Sequence, residues 1–274
     1  MTTYAEGAAY TLEHPGRPAL VVALHGLTGT RAQPLALLEG FDEPRLGILA
    51  PDLRAHGDTD DGIDAAELTP DQLASDVEEL MRHLGLGTRA LALLGVSMGA
   101  TVALQVLRRG VLDVLACVFV RPAHGAEPAS HLQVNTRIAA WLQADPGTAL
   151  ERLTASPEYL AVAEVSARAA ASLRDKVTKA GSAERAARLV QGSEWIAIGA
   201  TEQVVDPPLT LIVAAEDDPQ HPVAVAETWH ARIARSELTV LPGWDRDPAR
   251  HVSLARSTIQ GFLSSVAATL GARA

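Results

Sequence analysis

Gly95-Val96-Ser97-Met98-Gly99 sets a serine hydroxyl between two glycines, directly after the apolar run Ala90 to Leu94 and directly before a helical run, Ala100 to Arg109. A serine at a strand-to-helix turn is held in a strained conformation with its hydroxyl projecting. Glycines two residues away on either side let the turn pass close to its neighbours. The helix that follows aims its N-terminal amides near the serine, where negative charge would develop. The chemistry such a group performs is nucleophilic attack on a carbonyl. A serine of ordinary pKa is a poor nucleophile, so an imidazole must accept its proton and a carboxylate must orient the imidazole.

The elements that must position these groups follow from the period of the apolar residues. Short apolar runs bounded by turns alternate with stretches of helical spacing, which predicts a parallel sheet with crossover helices. The expected strands are Ala19 to Leu24, Leu46 to Ala50, Ala90 to Leu94, Val114 to Val120, Leu209 to Ala214 and Glu237 to Leu241. Thr69 as N-cap, Pro70 at the first helical position and Gln72 completing a capping box start a helix. Its buried stripe is Leu73, Val77, Leu80, Met81 and Leu84, and Gly85 and Gly87 stop it. Ala255, Ile259, Phe262, Leu263, Val266 and Leu270 predict a terminal helix covering one face of the sheet. From His124 to Asp206 the chain is alanine-rich and helical, bounded by Pro122 and Pro207-Pro208, and reads as an inserted cap. The expected organisation is core 1–123, cap 124–206 and core 207–274.

The chain has 274 residues, 47% apolar and 20% charged, a composition that excludes fibres and disordered tails. A net charge of −10 would repel nucleic acid and anionic lipid, so neither is an expected partner. No apolar run approaches the roughly 20 residues of a membrane span. No basic residue precedes Arg17 and no apolar signal core is present, so a cytoplasmic protein is expected. The single cysteine, Cys117, lies in an apolar run and reads as a buried thiol. No G-x-G-x-x-G, phosphate loop or metal-ligand cluster occurs, so neither cofactor nor metal is implied.

The chain resembles the α/β-hydrolase family from the strand at Ala19 to the terminal helix. Leu24-His25-Gly26-Leu27 is similar to the family's H-G segment, and the resemblance implies an oxyanion hole built from the Leu27 and Met98 amides. His25 is then a brace for its loop. Pro51-Asp52-Leu53-Arg54-Ala55-His56-Gly57-Asp58-Thr59 is similar to the D-x-R-G-x-G-x-S loop, with Ala55 where glycine is usual and Thr59 where serine is usual. Arg54 and His56 are expected to fix that loop. The family order of serine, acid, histidine implies Asp218 as the acid, in Ala215-Glu216-Asp217-Asp218-Pro219, with Asp217 in reserve. It implies His251, after the last strand, as the base. The competing histidines are weaker candidates: His221 is too near Asp218, His230 falls in a helical run and His83 lies at a helix end. His124, Trp141 and Trp195 are the candidate substrate contacts.

The resulting expectation is an α/β-hydrolase fold carrying a serine hydrolase, acting on a small-molecule ester or related acyl bond through Ser97, His251 and Asp218. Thioester, lactone, amide and carbon–carbon hydrolysis and cofactor-free perhydrolysis use the same groups, and a non-catalytic ligand receptor could share the fold. Oligomeric state is left open. The cap's eight basic and ten acidic residues predict selection by shape and apolarity, without a fixed anion site.

Overall fold

The computed structural model describes residues 4–59, 68–127, 129–179, 183–199, 201–204 and 206–270. Seven strands form one sheet: β1 (Tyr10–Glu13), β2 (Ala19–Leu24), β3 (Leu46–Pro51), β4 (Ala90–Val96), β5 (Val114–Val120), β6 (Leu209–Ala215) and β7 (Ser236–Leu241). Their spatial order is β1-β3-β2-β4-β5-β6-β7, with β1 antiparallel to β3 and every other pair parallel. The expected strands are all present, longer by one or two residues at four ends. The additional edge strand β1 has no sequence signal, because only two of its four side chains are even partly covered.

Both faces of the sheet are buried, and the two-residue alternation of strand side chains divides them. Leu20, Val22 and Leu24 of β2 point into one core, and Ala19, Val21 and Ala23 into the other. The first core is closed by α3 (Pro70–His83), α4 (Met98–Arg109) and α10 (Val223–Arg232). Thr69 caps α3 as predicted, its hydroxyl accepting from Gln72 N at 3.1 Å, while the Gln72 side chain, expected to complete a capping box, donates instead to Asp76 Oδ1 at 3.0 Å. The second core is closed by α11 (Pro248–Leu270), whose Ala255, Ile259, Leu263 and Val266 are buried. Burying the isoleucine, leucine and valine side chains contributes about 1.5–3 kcal/mol each. Two short helices, α1 (Tyr4–Gly7) and α2 (Ala32–Leu35), complete the sheet layers.

Among the described residues between β5 and β6 run a 3-10 turn, Ser130–Leu132, and five helices: α5 (Gln133–Ala144), α6 (Ala149–Thr154), α7 (Pro157–Val165), α8 (Ala167–Thr178) and α9 (Ala183–Ser193). They have an apolar centre of their own, including Ile138, Leu153, Tyr159, Leu173 and Leu189, and Leu27 packs against it. No described helix is long and apolar enough to cross a membrane.

The chain moves from β2 outward to β3 and then back across to β4, so the sheet order reverses between β2 and β4. Loops leaving the carboxyl ends of those two strands diverge and open a crevice. Leu27 follows β2 and Ser97 follows β4, so the topology brings these residues together at that crevice.

Candidate active site

Ser97 has φ 55° and ψ −111°, a backbone conformation that a side chain rarely adopts. The glycine spacing is explained by what surrounds it. A Cβ on Gly95 would overlap the Gly99 carbonyl, and one on Gly99 would overlap the Leu24 carbonyl at the end of β2. A Cβ on Gly26 would stand 3.2 Å from Ser97 Cβ, so the H-G segment runs directly against the serine. Leu27 and Met98 both line the cavity that Ser97 faces.

The imidazole the structure brings to Ser97 is that of His221, not His251. His221 Nε2 lies 2.9 Å from Ser97 Oγ, and His221 Nδ1 lies 2.9 Å from Asp218 Oδ2. With its proton on Nδ1, facing the carboxylate, the ring presents a lone pair to the serine hydroxyl. Asp218 and His221 meet because residues 218 to 221 form a tight turn. His221 N donates to Asp218 O at 3.2 Å, and Gln220 N donates to Asp218 Oδ1 at 3.1 Å. Proline at the second position, Pro219, has its φ already fixed for such a turn. Residues three apart in sequence therefore stand side by side, and the Asp-Pro-x-His spelling was the available signal for this pair. Arg121, just beyond β5, reaches Asp218 Oδ2 at 3.4 Å. Burial alone would push the Asp218 carboxyl up. The His221 ring, the Arg121 guanidinium and the Gln220 amide outweigh it and hold the group well below the usual carboxylate range.

His251 sits in the first turn of α11 and lines the same cavity. Its Nδ1 donates to Pro242 O at 2.8 Å, and its ring packs 5.0 Å from that of Trp244, centroid to centroid. The loop from Pro242 holds it there. Burial, with Arg121 and Arg168 adding to it, lowers its pKa. Asp217, the reserve acid, has φ 55° and turns to Arg246 at 2.8 Å.

His124 also lines the cavity, but both of its nitrogens are engaged, Nδ1 by the Thr101 hydroxyl at 2.9 Å and Nε2 by Gly192 O. Burial lowers it to about 4, so it stays neutral and braces the cap against α4. His25 is a brace as expected: its Nε2 accepts from Leu53 N at 2.9 Å, which leaves Nδ1–H to donate to Gly26 O. Arg54 pairs with Asp76 through two bonds of 2.6 and 2.7 Å, and His56 Nδ1 donates to Arg54 O. Ala55 takes φ 61°, the conformation for which glycine would be the ordinary choice.

The cavity holds about 310 Å³. Neither Trp141 nor Trp195 is on its wall. Trp141 packs on the cap's own apolar centre, and Trp195 is buried in the first sheet core, its ring 5.5 Å from that of His124. Trp244 does line it, with the Arg168 guanidinium 3.6 Å above the ring. The wall is more polar than the cap's composition predicts: Arg121, Asn135, Arg168, Lys176 and Gln220 all contribute. These residues are scattered over four segments and become neighbours only on folding. Among the described residues no group of three or more histidine, cysteine or acidic side chains is arranged to hold a metal ion.

The helices between β5 and β6 are fastened to the loops that follow β6 and β7. Asp245, in the loop after β7, accepts from the Ser166 hydroxyl at 2.6 Å and from Arg168 N at 3.2 Å, which caps the start of α8. Gln220 donates through Nε2 to Ala169 O at 3.2 Å.

Known structures share this architecture at low sequence identity. A thermophilic esterase from Thermogutta terrifontis, malate bound, superimposes with a TM-score of 0.68 at 21% identity, covering 94% of this chain and 93% of its own. MenH from S. aureus gives 0.68 at 18% identity over 95% and 98%. A proline iminopeptidase from Mycobacterium smegmatis gives 0.66 at 17% identity over 96% of each chain. No curated protein matches the chain in sequence. The family model for the alpha/beta hydrolase fold matches residues 19–248, and the chain belongs to that family.

Proposed function

We propose that the protein hydrolyses a carboxylic ester or closely related acyl bond through an acyl-enzyme on Ser97. The observation that carries this reading is the hydrogen-bonded chain from Asp218 through His221 to Ser97, two links of 2.9 Å, anchored on a strained strand-to-helix turn. As Ser97 Oγ attacks the carbonyl carbon, its proton passes to His221 Nε2. The imidazolium so formed is stabilised by the Asp218 carboxylate, which Arg121 and the Gln220 amide keep ionised and in place. Leu27 and Met98 amides are assigned to the tetrahedral oxyanion. Backbone donors suit that role because they need no reorganisation, and losing one costs roughly a hundredfold or more in rate. His221 then returns the proton to the departing alkoxide. Water activated by the same ring releases the acid and regenerates Ser97.

His221 serves as the base in this reading, and His251 is the competitor because it faces the same cavity. Fluorophosphonate labelling together with turnover of short-chain 4-nitrophenyl esters tests the assignment. Label on Ser97, lost in Ser97→Ala and strongly slowed in His221→Ala, is the expected result. Labelling of another residue, or full activity in His221→Ala with its loss in His251→Ala, would overturn the assignment. A folded protein that neither labels nor cleaves any acyl ester would mark a ligand receptor.

A further inference from the structure

The charges on the cavity wall do not balance. Glu216 and Asp217 pair with Arg246 at 3.1 and 2.8 Å, Asp175 pairs with Lys179 at 2.6 Å, and Asp218 is held by His221 and Arg121. Each of these residues lines the cavity, and each carboxylate already has its cation. Two cations on the same wall, Lys176 and Arg168, have no carboxylate within ion-pair distance among the described residues. Asp245 engages the backbone amide of Arg168, while the guanidinium stands over the Trp244 ring, 3.6 Å from its centroid.

Lys176 is the more constrained of the two. It is one of only two lysines in the chain and is 9% exposed. Its Nζ donates to Asn135 Oδ1 at 3.0 Å and to Gln220 Oε1 at 2.8 Å. An ammonium has three donors, so one remains. Two neutral amides fix its direction without neutralising it. Burial lowers its pKa to about 8, with Asp218 pulling the other way, so it remains mostly cationic at neutral pH. A buried cation with no counter-ion is costly unless something anionic joins it.

We propose that Lys176, supported by Arg168, is the binding site for a carboxylate carried by the substrate, so that the preferred substrates are esters bearing one free carboxylate. The third Lys176 N–H would donate to a carboxylate oxygen, and Gln220 ties that contact to the Asp218–His221 turn. The inference builds on the hydrolase reading above and adds the substrate class.

The test compares 4-nitrophenyl hydrogen glutarate with the uncharged 4-nitrophenyl pentanoate, reading the ratio of their kcat/KM values. Wild type should favour the charged ester by tenfold or more. Lys176→Met should lower that ratio about tenfold to a hundredfold, the scale of one charge-assisted hydrogen bond, while Lys176→Arg should keep part of it. Arg168→Leu, at a less buried position, should lower it several-fold and serves if the Met variant folds poorly. Calorimetric titration of glutarate into Ser97→Ala protein, with and without Lys176→Met, needs no turnover. If neither ester is cleaved, the hydrolase reading fails, and this titration alone decides the carboxylate site. Wild-type preference for pentanoate, or glutarate binding that is absent or insensitive to Lys176→Met, would overturn the proposal. So would a Met variant that melts lower but keeps the ratio, for then Lys176 is a strut between α5, α8 and the turn.

Discussion

The two turns that meet at the cavity, Gly95 to Gly99 after β4 and Asp218 to His221 after β6, are built by opposite means. The first is fixed by backbone crowding: the Gly95 and Gly99 positions abut main-chain carbonyls, and the serine between them carries the strain. The second is fixed by side chains, an aspartate that accepts from its own turn and an imidazole held between that aspartate and the serine. Backbone crowding admits one residue type, so it writes itself into glycine spacing. Side-chain pairing can be met by any histidine that reaches, so of the two histidines on this cavity only His221 carries a sequence mark, the Asp-Pro-x-His turn that sets it beside Asp218.

Removing the groups the two turns bring together gives the largest effects. Ser97→Ala and His221→Ala should each lower kcat by roughly a million-fold on activated esters, the scale seen when one member of such a unit is lost, with far-ultraviolet circular dichroism unchanged. His251→Ala should cost less than about tenfold. Equal losses in the two histidine variants would mean that both rings handle the proton, and the contrast between the turns would weaken.

Asp218→Asn removes the charge that orients His221 while keeping its shape, and should lower kcat by roughly ten-thousandfold. Asp217→Asn should cost little, because its carboxylate faces Arg246. The reverse order, measured by the same steady-state assay, would move the acid one residue back.

A smaller effect separates the braces from the reacting groups. His25 and His124 are both lowered by burial to about 4 and are neutral in the fold, but they take up protons below about 6.5 once unfolded. Their contribution is therefore complete above that pH and is lost as pH falls toward 4, by roughly 3 kcal/mol per imidazole. The Asp218 carboxyl, held low, begins to lose its contribution as pH falls through the ordinary carboxylate range and goes on losing it below. Urea midpoints at pH 7.5, 6 and 4.5 should fall, and His124→Gln should flatten the slope. A flat wild-type profile would show that these rings are solvated.

The smallest effect is expected in the cap. Trp141→Ala should leave relative rates across acyl lengths within about twofold, because the ring packs on the cap's own centre and not on the cavity. Trp244→Ala, which removes the surface under Arg168, should shift them. A changed profile in Trp141→Ala would bring that ring back to the wall.

Six of the seven strands, the start of α3, the terminal helix and the serine turn are legible in the chain. In each, the decisive forces act between residues a few positions apart: alternation across a buried strand, a cap three residues from its amide, and a side chain that cannot fit beside a carbonyl. Ala55 is legible in the same way, as a departure at a position whose φ favours glycine. The edge strand β1 was not, because its pairing with β3 supplies what its four residues lack in apolar pattern. Which histidine reaches Ser97, and that Lys176, Arg168 and Gln220 share a wall with it, follows from contacts between distant segments. Those contacts join segments as much as 124 residues apart. Their energies come from desolvation and charge at the place where the segments meet, and no local pattern in the chain records that place.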